Sequence, residues 1–429
     1  MYTLKNKLVV VFFCCCFIVV TSASNLTDTA KLSKQGLLFA PPQSQTAKKT
    51  EPFFSFKNGL GFAPPDSSFS LNIRFRMQNR VLMNTVSEDD LSPSSWDARV
   101  RRCRLSFTGH VINPHWSYYL QLSFSRGDMD WSVSDATSQN VSPNVLRDAM
   151  IFYRPNKNLQ LALGQGKLPG NRQRVVSSGA LQFYDRSPVN ATFTLDRDFG
   201  VFANYTIQTS NPFKAIIKTA ISSGEGRNSL SSNAGLAYTG RVEFLPMGDF
   251  TEGGDYFEGD IVQEKKPKLS LGVGYHLNDW AVRTQGQLGR DLYAPRSFTV
   301  FIADFLLKYN GFALSSEYLQ RNTINSPITK NSAGAVRNVL VGDGINTQLS
   351  YCFKSNWEIA ARHSVVTPHK DVFAYMNKTN EFGVGITKYL AKHKTKVQFN
   401  VFSRREKNLA TSQIVFRNFF GVFQIELGI

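Results

Sequence analysis

The sequence predicts an all-β fold, a transmembrane antiparallel β-barrel of about 16 strands with one loop folded into its interior. Three observations predict it. Segments of roughly ten residues alternate apolar with polar side chains, short connections alternate with long ones, and no apolar run after the N-terminus approaches the length of a spanning helix. Residues 164–198 follow neither a helical nor a strand period, and an irregular run inside a compact chain usually has a function.

The N-terminus has the pattern of a secretory signal peptide over residues 1–24. Lys5 and Lys7 precede an apolar stretch from Leu8 to Val20, and small residues follow it. The stretch is short for a spanning helix, so we expect it to be cleaved; an uncleaved anchor is the alternative. Residues 25–66 are rich in Ser, Thr, Lys, Gln and Pro and predict a flexible periplasmic segment before the barrel, residues 67–429.

The chain is basic and rich in aromatic residues. It carries 49 Lys and Arg against 32 Asp and Glu, a net charge of +17, which is typical of proteins that meet nucleic acid, anionic membranes or anionic solutes. Export makes nucleic acid a poor candidate. The 34 Phe, 15 Tyr and 5 Trp in an overall polar chain favour a barrel in the bilayer of the cell outer membrane.

The first predicted strand shows the alternation most clearly. Apolar residues occupy the odd positions from Phe69 to Met77, and polar residues occupy the even positions from Ser70 to Gln78. In a membrane barrel the apolar face meets lipid and the polar face meets the lumen. The predicted strands lie near residues 68–78, 100–111, 116–124, 146–154, 159–163, 199–207, 213–221, 236–245, 269–277, 299–309, 312–318, 345–353, 357–365, 382–386, 397–404 and 414–429.

The connections also alternate, as short periplasmic turns and long outer loops should. Asn310-Gly311 is a favourable two-residue hairpin turn. Residues 247–268 break the alternation, because they stand where a short turn is expected but are long and acidic. Two interpretations stay open: an elaborated periplasmic loop, or a strand pair that the pattern does not reveal.

The phase of the alternation places a group of basic side chains toward the lumen and the irregular loop. Guanidinium groups bind oxyanions through two hydrogen bonds, and fixed positive charge in a narrow pore excludes cations. We therefore expect this group to line the pore and to bind small anionic solutes. Its members are Arg74, Arg76, Arg80, Arg102, Arg104, Lys167, Arg172 and Arg174. The alternative is structural charge paired with acids.

A second group contains adjacent opposite charges, which favour anchoring of the irregular loop over contact with solute. Its members are Asp185, Arg186, Arg197 and Asp198. Glu358 and Arg362 lie on one face of a predicted strand, and we expect them to form an ion pair across the wall.

The motifs of enzymes do not occur in the sequence. The six histidines lack metal-ligand spacing, and there is no Gly-rich phosphate loop, nucleophile elbow or Cys/His cluster. We expect no catalytic activity, no cofactor and no metal site.

Several stretches resemble the phosphate-selective porin O/P family in the form found in Bacteroidetes-type bacteria. They are DSSFSLNIRFRMQNRV (66–81) with VRRCRLSFTG (100–109), GQGKLPGNRQRVVSSGALQFYDRS (164–187) with LDRDFGV (195–201), and TGRVEFLPMGDF (239–250) running to PKLSLGVGY (267–275). The resemblance covers residues 60–429. It implies a homotrimer of 16-stranded barrels whose third outer loop folds inward.

In the better-known members of that family, arginines and a lysine lead to a constriction that binds phosphate or polyphosphate. By position, Lys167, Arg172 and Arg174 fall in the corresponding loop, and the arginines of the first two strands fall on the nearby wall. The resemblance thus implies a passive outer-membrane diffusion channel with anion preference, for phosphate or other small oxyanions. Two alternatives stay open: a general or sugar-type porin with structural arginines, and a non-conducting structural outer-membrane protein.

Overall fold

The computed structural model describes residues 54–56, 59–125, 128, 144–209, 212–229 and 233–429. The predicted signal peptide and residues 25–53 of the predicted periplasmic segment lie outside the described residues. None of the helices in the described ranges is long and apolar enough to cross a membrane.

The described residues form twenty strands, two short α-helices and two 3₁₀ turns. The strands are β1 (Phe54–Ser55), β2 (Leu60–Phe62), β3 (Phe69–Thr85), β4 (Pro93–Val111), β5 (Asn113–Ser123), β6 (Leu146–Tyr153), β7 (Leu159–Lys167), β8 (Arg197–Gln208), β9 (Lys214–Ser222), β10 (Ala237–Leu245), β11 (Lys268–Arg283), β12 (Asp291–Tyr309), β13 (Phe312–Thr323), β14 (Ile328–Lys330), β15 (Val336–Asn338), β16 (Gly342–Cys352), β17 (Trp357–Pro368), β18 (Lys378–Ala391), β19 (Thr395–Lys407) and β20 (Ile414–Gly428). The helices are α1 (Arg172–Val175) and α2 (Pro188–Phe193), and the 3₁₀ turns are Thr251–Tyr256 and Lys370–Val372.

Sixteen of these strands make a closed barrel. From β3 to β13 and from β16 to β20 each strand pairs antiparallel with the next, β13 pairs with β16, and β20 pairs with β3, with Gln424 opposite Arg80. Closure leaves no open sheet edge along the bilayer, where an unpaired backbone group would cost several kcal/mol. The predicted all-β, 16-stranded barrel is confirmed.

Four short strands lie outside this count. β14 and β15 form a hairpin within one long outer loop. β1 pairs with β2, and β2 pairs with β3 through Leu60 and Ile73. Because β20 ends opposite Arg76, the start of β3 has a free edge, which β2 covers. Residues 54–62 of the segment predicted to be flexible therefore include strands that belong to the barrel wall.

The barrel is apolar outside and charged inside. Alternate residues of β18 and β17 such as Val384, Ile386 and Ile359 are strongly exposed. The largest fully buried side chains include Arg241 and Lys308. This reversal of the soluble pattern places the apolar band against lipid and the charges in the lumen.

The turns at the periplasmic end match the sequence prediction in most places. Asn310 and Gly311 have φ of 49° and 88°, as a type I′ hairpin turn requires. β10 and β11 pair directly, with Phe244 opposite Leu271, so residues 246–267 hide no strand pair of the barrel. This segment, which we call the inserted turn, is an extended periplasmic connection whose residues Gly253–Tyr256 are buried.

The outward face gives a depth-dependent prediction for two positions on β18. Val384→Arg places a charge near the middle of the strand and should lower the free energy of unfolding by about 2–4 kcal/mol. Leu390→Arg lies on the same face at the periplasmic end of β18 and should cost about 1 kcal/mol or less. Denaturant unfolding in lipid vesicles measures both. Equal costs would contradict the placement of this face against the hydrocarbon.

Candidate functional site

The connection between β7 and β8, residues 168–196, crosses the interior of the barrel. We call it the crossing loop. Its apolar side chains Leu168, Phe183, Val189, Phe193 and Leu195 are at most 1% exposed. It lies inside the wall, as the sequence predicts for residues 164–198.

Acids of β12 and β13 hold the first part of the crossing loop against the far wall. Arg172 Nε lies 2.8 Å from Asp304 Oδ1, and its Nη2 donates to Ser270 Oγ at 2.7 Å. Gln173 N donates to Glu317 Oε2 at 3.1 Å. Arg172 does not line the large cavity described below. Its predicted place among the solute-facing residues therefore needs correction, because a buried carboxylate takes up its charge.

The second helix of the loop, α2, is held at both ends. Ser187 caps its N-terminus by accepting from Asn190 N at 3.2 Å. At the C-terminal end, Arg321 on β13 donates to the carbonyls of Thr192 and Thr194 at 3.1 and 3.2 Å. A cation at the C-terminus satisfies carbonyls that the helix itself leaves open.

The middle of the loop is tied to β16–β19. Lys396 Nζ donates to the carbonyls of Gly179 and Leu181 at 2.9 and 2.6 Å, and Arg362 Nη1 donates to Asp185 O at 2.8 Å. A Cβ at Gly179 would lie 2.3 Å from Arg76 Nη1, so any larger residue there would force the end of the Arg76 side chain to move.

The predicted Glu358–Arg362 pair does not form. Arg362 Nη2 contacts Glu381 Oε1 of the neighbouring strand at 2.8 Å, and Glu358 instead accepts from Gln182 Nε2 at 2.8 Å. Four residues along a strand span about 13 Å, whereas facing residues of paired strands are close neighbours. Arg362 therefore pairs with Glu381 on the neighbouring strand and not with Glu358 on its own strand.

A cavity of about 1070 Å³ lies between the crossing loop and the wall of β3–β6. Its lining reaches from Asp97 and Arg99 near the outer end to Lys392 and Lys394 near the periplasmic end. Among the described residues that line it, fifteen are Lys or Arg and seven are Asp or Glu, so its wall carries excess positive charge. We call it the basic cavity.

At the centre of the basic cavity, two aspartates hold five arginines. Asp185 of the loop lies 3.0 Å from Nη2 of both Arg101 and Arg102, and 3.7 Å from Arg80. Burial alone would raise the pKa of Asp185, but Arg102, Arg101 and Arg186 hold it well below its usual value. The carboxylate therefore stays charged and fixes the arginines.

Asp128 holds the arginines of β4 and β6 in the same way. It contacts Arg147 at 3.5 Å, Arg101 at 3.7 Å and Arg102 at 3.9 Å, and it also pairs with Arg104. Since each carboxylate serves three or four cations, the cluster keeps a net positive charge.

Two arginines of this cluster were not predicted from the sequence. Arg101 lies at a register shift between β3 and β4, because Gln78 pairs with Arg102 and the next residue, Asn79, pairs with Val100. Arg147 lies at a similar shift between β5 and β6, at Gln121 and Leu122. A β-bulge adds one residue to a strand and turns a side chain that strict alternation would send outward. Adjacent residues Arg101 and Arg102 therefore both face the lumen.

The remaining predicted pore residues lie at the basic cavity. Arg76 Nη2 donates to Ser178 Oγ at 2.7 Å and Arg76 Nη1 lies 3.5 Å from Glu426. Lys167 Nζ donates to Val175 O at 3.0 Å. Arg174 pairs with Asp196 of the same loop. The predicted residues among the lining are Arg74, Arg76, Arg80, Arg102, Arg104, Lys167 and Arg174.

The residues predicted to anchor the loop make local contacts. Arg186 Nε donates to Gln173 O at 2.6 Å, which closes the loop on itself. Arg197 binds both carboxylate oxygens of Asp148 at 2.8 and 3.1 Å. Asp198 accepts from Gly224 N at 2.6 Å and Gly226 N at 3.2 Å, and so holds the next outer loop.

In the described part of the chain, no group of three or more His, Cys, Asp and Glu side chains is placed to hold a metal ion. The arginines around the basic cavity carry N–H groups of the kind that bind carboxylate and phosphate oxygens strongly.

Comparisons with known proteins agree with this architecture. Residues 71–283 match the family model described as phosphate-selective porin O and P. The fold is similar to the outer-membrane channel DcaP of Acinetobacter baumannii, with a TM-score of 0.53, 10% identity, and coverage of 87% of this chain and 100% of that one. It is also similar to the trimer form of OmpT from Vibrio cholerae. The TM-score is 0.50, the identity is 10%, and the match covers 84% of this chain and 100% of that one.

A third similar structure is OmpF of Salmonella typhi in complex with daunomycin, with a TM-score of 0.50, 14% identity, and coverage of 84% of this chain and 98% of that one. At these identities the structural similarity shows the fold. A comparison with curated protein sequences finds no match. Family and fold together are those of a channel and not of an enzyme.

An Arg→Gln substitution should have effects of different size at Arg172, which is paired with the far wall, and at Arg101, which lines the basic cavity. Arg172→Gln should lower the free energy of unfolding by about 2 kcal/mol and make the crossing loop more sensitive to protease, because the buried Asp304 keeps only Arg241. Arg101→Gln should change the free energy of unfolding by about 0.5 kcal/mol or less, because both of its aspartates keep other arginines. Denaturant unfolding and limited proteolysis measure the difference, and equal behaviour would refute the distinction.

Proposed function

Because residues 71–283 place this chain in the phosphate-selective porin O and P family, we propose that it is a passive diffusion channel selective for small oxyanions such as phosphate. The chain is an outer-membrane porin. The proposal concerns which solutes it prefers. Its main support is the charge of the basic cavity, fifteen basic against seven acidic residues among the described lining.

The arrangement of the arginines suits passage and not trapping. A conducting pore needs several weak sites, so that an ion can move from one to the next. Arg74 and Arg76 follow each other along β3, and Arg104 of β4 lies directly opposite Arg76. Arg80 and Arg101 lie further toward the outer end. Asp128 and Asp185 reduce the charge at the centre of this track, which weakens each single site.

The arginines around the basic cavity are only partly compensated by acceptors of the protein. Several of their guanidinium N–H groups are buried and have no hydrogen-bond acceptor among the protein atoms. They are Arg80 Nε, Arg101 Nη1, Arg102 Nε, Arg147 Nε and Arg174 Nε. Guanidinium charge that acceptors compensate only in part attracts an anion in the cavity even where the N–H group itself does not reach the solute.

We also propose that residues 1–24 are a cleaved signal peptide, that the residues after it form a periplasmic segment, and that the chain is a homotrimer. The N-terminal charge pattern supports the first proposal. The trimer form of the OmpT that shares this fold supports the last one. Cross-linking of the purified protein in detergent tests the oligomeric state.

Ion selectivity in planar bilayers tests the proposed function. Under a KCl gradient the wild-type reversal potential should lie on the anion side, and added phosphate should reduce the chloride current. The double variant Arg74→Gln/Arg101→Gln should lower the anion-to-cation permeability ratio by about threefold or more, because both side chains line the basic cavity.

The matched control is Lys330→Gln/Lys354→Gln, which removes the same charge from positions outside the basic cavity. It should behave as the wild type. A wild-type reversal potential on the cation side would refute the anion preference and favour a general porin. Absence of conductance would favour the structural protein.

A further inference from the structure

The inserted turn enters the lumen from the periplasmic end and is fixed to the wall. Lys308 Nζ on β12 donates to the carbonyls of Gly254 and Phe257 at 2.7 and 2.8 Å. Asp260 accepts from Gly311 N at 2.8 Å. The turn is therefore built into the barrel, and its depth in the lumen is set by wall residues.

The inserted turn also contacts the crossing loop directly, chiefly through Glu258. The Glu258 carboxylate accepts from Gln182 N at 2.8 Å and from Gln173 Nε2 at 3.4 Å, and its own N–H donates to Ala180 O at 2.9 Å. Phe257 packs on the apolar cluster of Val176, Ala180 and Leu181. One residue of the turn thus joins two distant parts of the loop.

Together the two segments fill the half of the lumen that faces β12–β16. One cavity between them and that wall has a volume of about 20 Å³, room for a single water molecule. It is lined by Arg172 together with the acids Asp255, Glu258 and Glu317, so it also repels anions. The basic cavity on the other side of the loop is about 1070 Å³.

We propose that the inserted turn supports the crossing loop from below and confines passage to the β3–β6 side, with Glu258 as the positioning residue. The proposal rests on the proposed channel activity, and it does not depend on which ion the channel prefers. Without this support, the loop segment from Val176 to Gln182 keeps its wall contacts but loses its periplasmic contacts, and the closed half of the lumen gains space.

Single-channel recording of Glu258→Gln tests the positioning role. The variant keeps the shape of the side chain but presents an N–H group where two donors now converge, so the loop should shift. We expect greater open-channel noise and an anion-to-cation permeability ratio that changes by about twofold. Asp249→Asn is the matched control, because Asp249 lies in the same turn but pairs with Lys214 of the wall at 2.8 Å. It should behave as the wild type.

A deletion tests the confinement of the passage. Replacing residues 246–269 with Asn-Gly joins Leu245 to Ser270 in the existing register and leaves a two-residue hairpin. Conductance should rise about twofold or more. Heat-modifiable migration on gels reports whether the deletion variant folds. If it does not fold, the conductance of Glu258→Ala tests the same proposal. A conducting wild type with unchanged Glu258 variants, or a folded deletion variant with unchanged conductance, overturns this proposal. A non-conducting wild type instead overturns the proposed function.

Discussion

The two-residue period of strands in a bilayer imposes one constraint from which the rest of this structure follows. One face of every strand must be apolar, so charged side chains have only the lumen. Buried charges need partners, and the wall alone does not supply enough of them. The crossing loop supplies the remainder through backbone groups: its carbonyls accept from Lys396 and Arg321, and its amides donate to Glu317. The same contacts that satisfy the wall also fix the loop.

The two halves of the lumen differ in the ratio of cations to anions. On the far side, Arg241 and Arg172 share Asp304, Arg241 and Lys218 share Glu243, and further acids lie nearby. On the near side, five arginines share two aspartates. Arginine content by itself therefore does not mark the passage. Under the proposed anion preference, the excess of arginine over acid does, because only uncompensated charge attracts an anion through several ångströms of water.

The sequence predicts the wall well and the interior only in part. Alternation locates all sixteen barrel strands, and Asn310-Gly311 locates a turn, because both depend on local rules. The partners of Arg172 and Arg362 could not be predicted, since they depend on which strands face each other. The inward orientation of Arg101 and Arg147 was not predicted, because a bulge leaves no clear signal in a single sequence. The inward course of residues 246–267 was hidden because its contacts come from distant strands and from the crossing loop.

Chemical labelling of a cysteine in the crossing loop tests the central claim most directly. Ser177 lines the basic cavity, so Ser177→Cys, with Cys103 and Cys352 replaced by Ser, should react with an anionic thiosulfonate about tenfold or more faster than with a cationic one. Val273→Cys on the lipid face should react with neither. Equal rates of the two reagents at Ser177→Cys, or faster reaction of the cationic one, would contradict a positively charged passage between the loop and β3–β6.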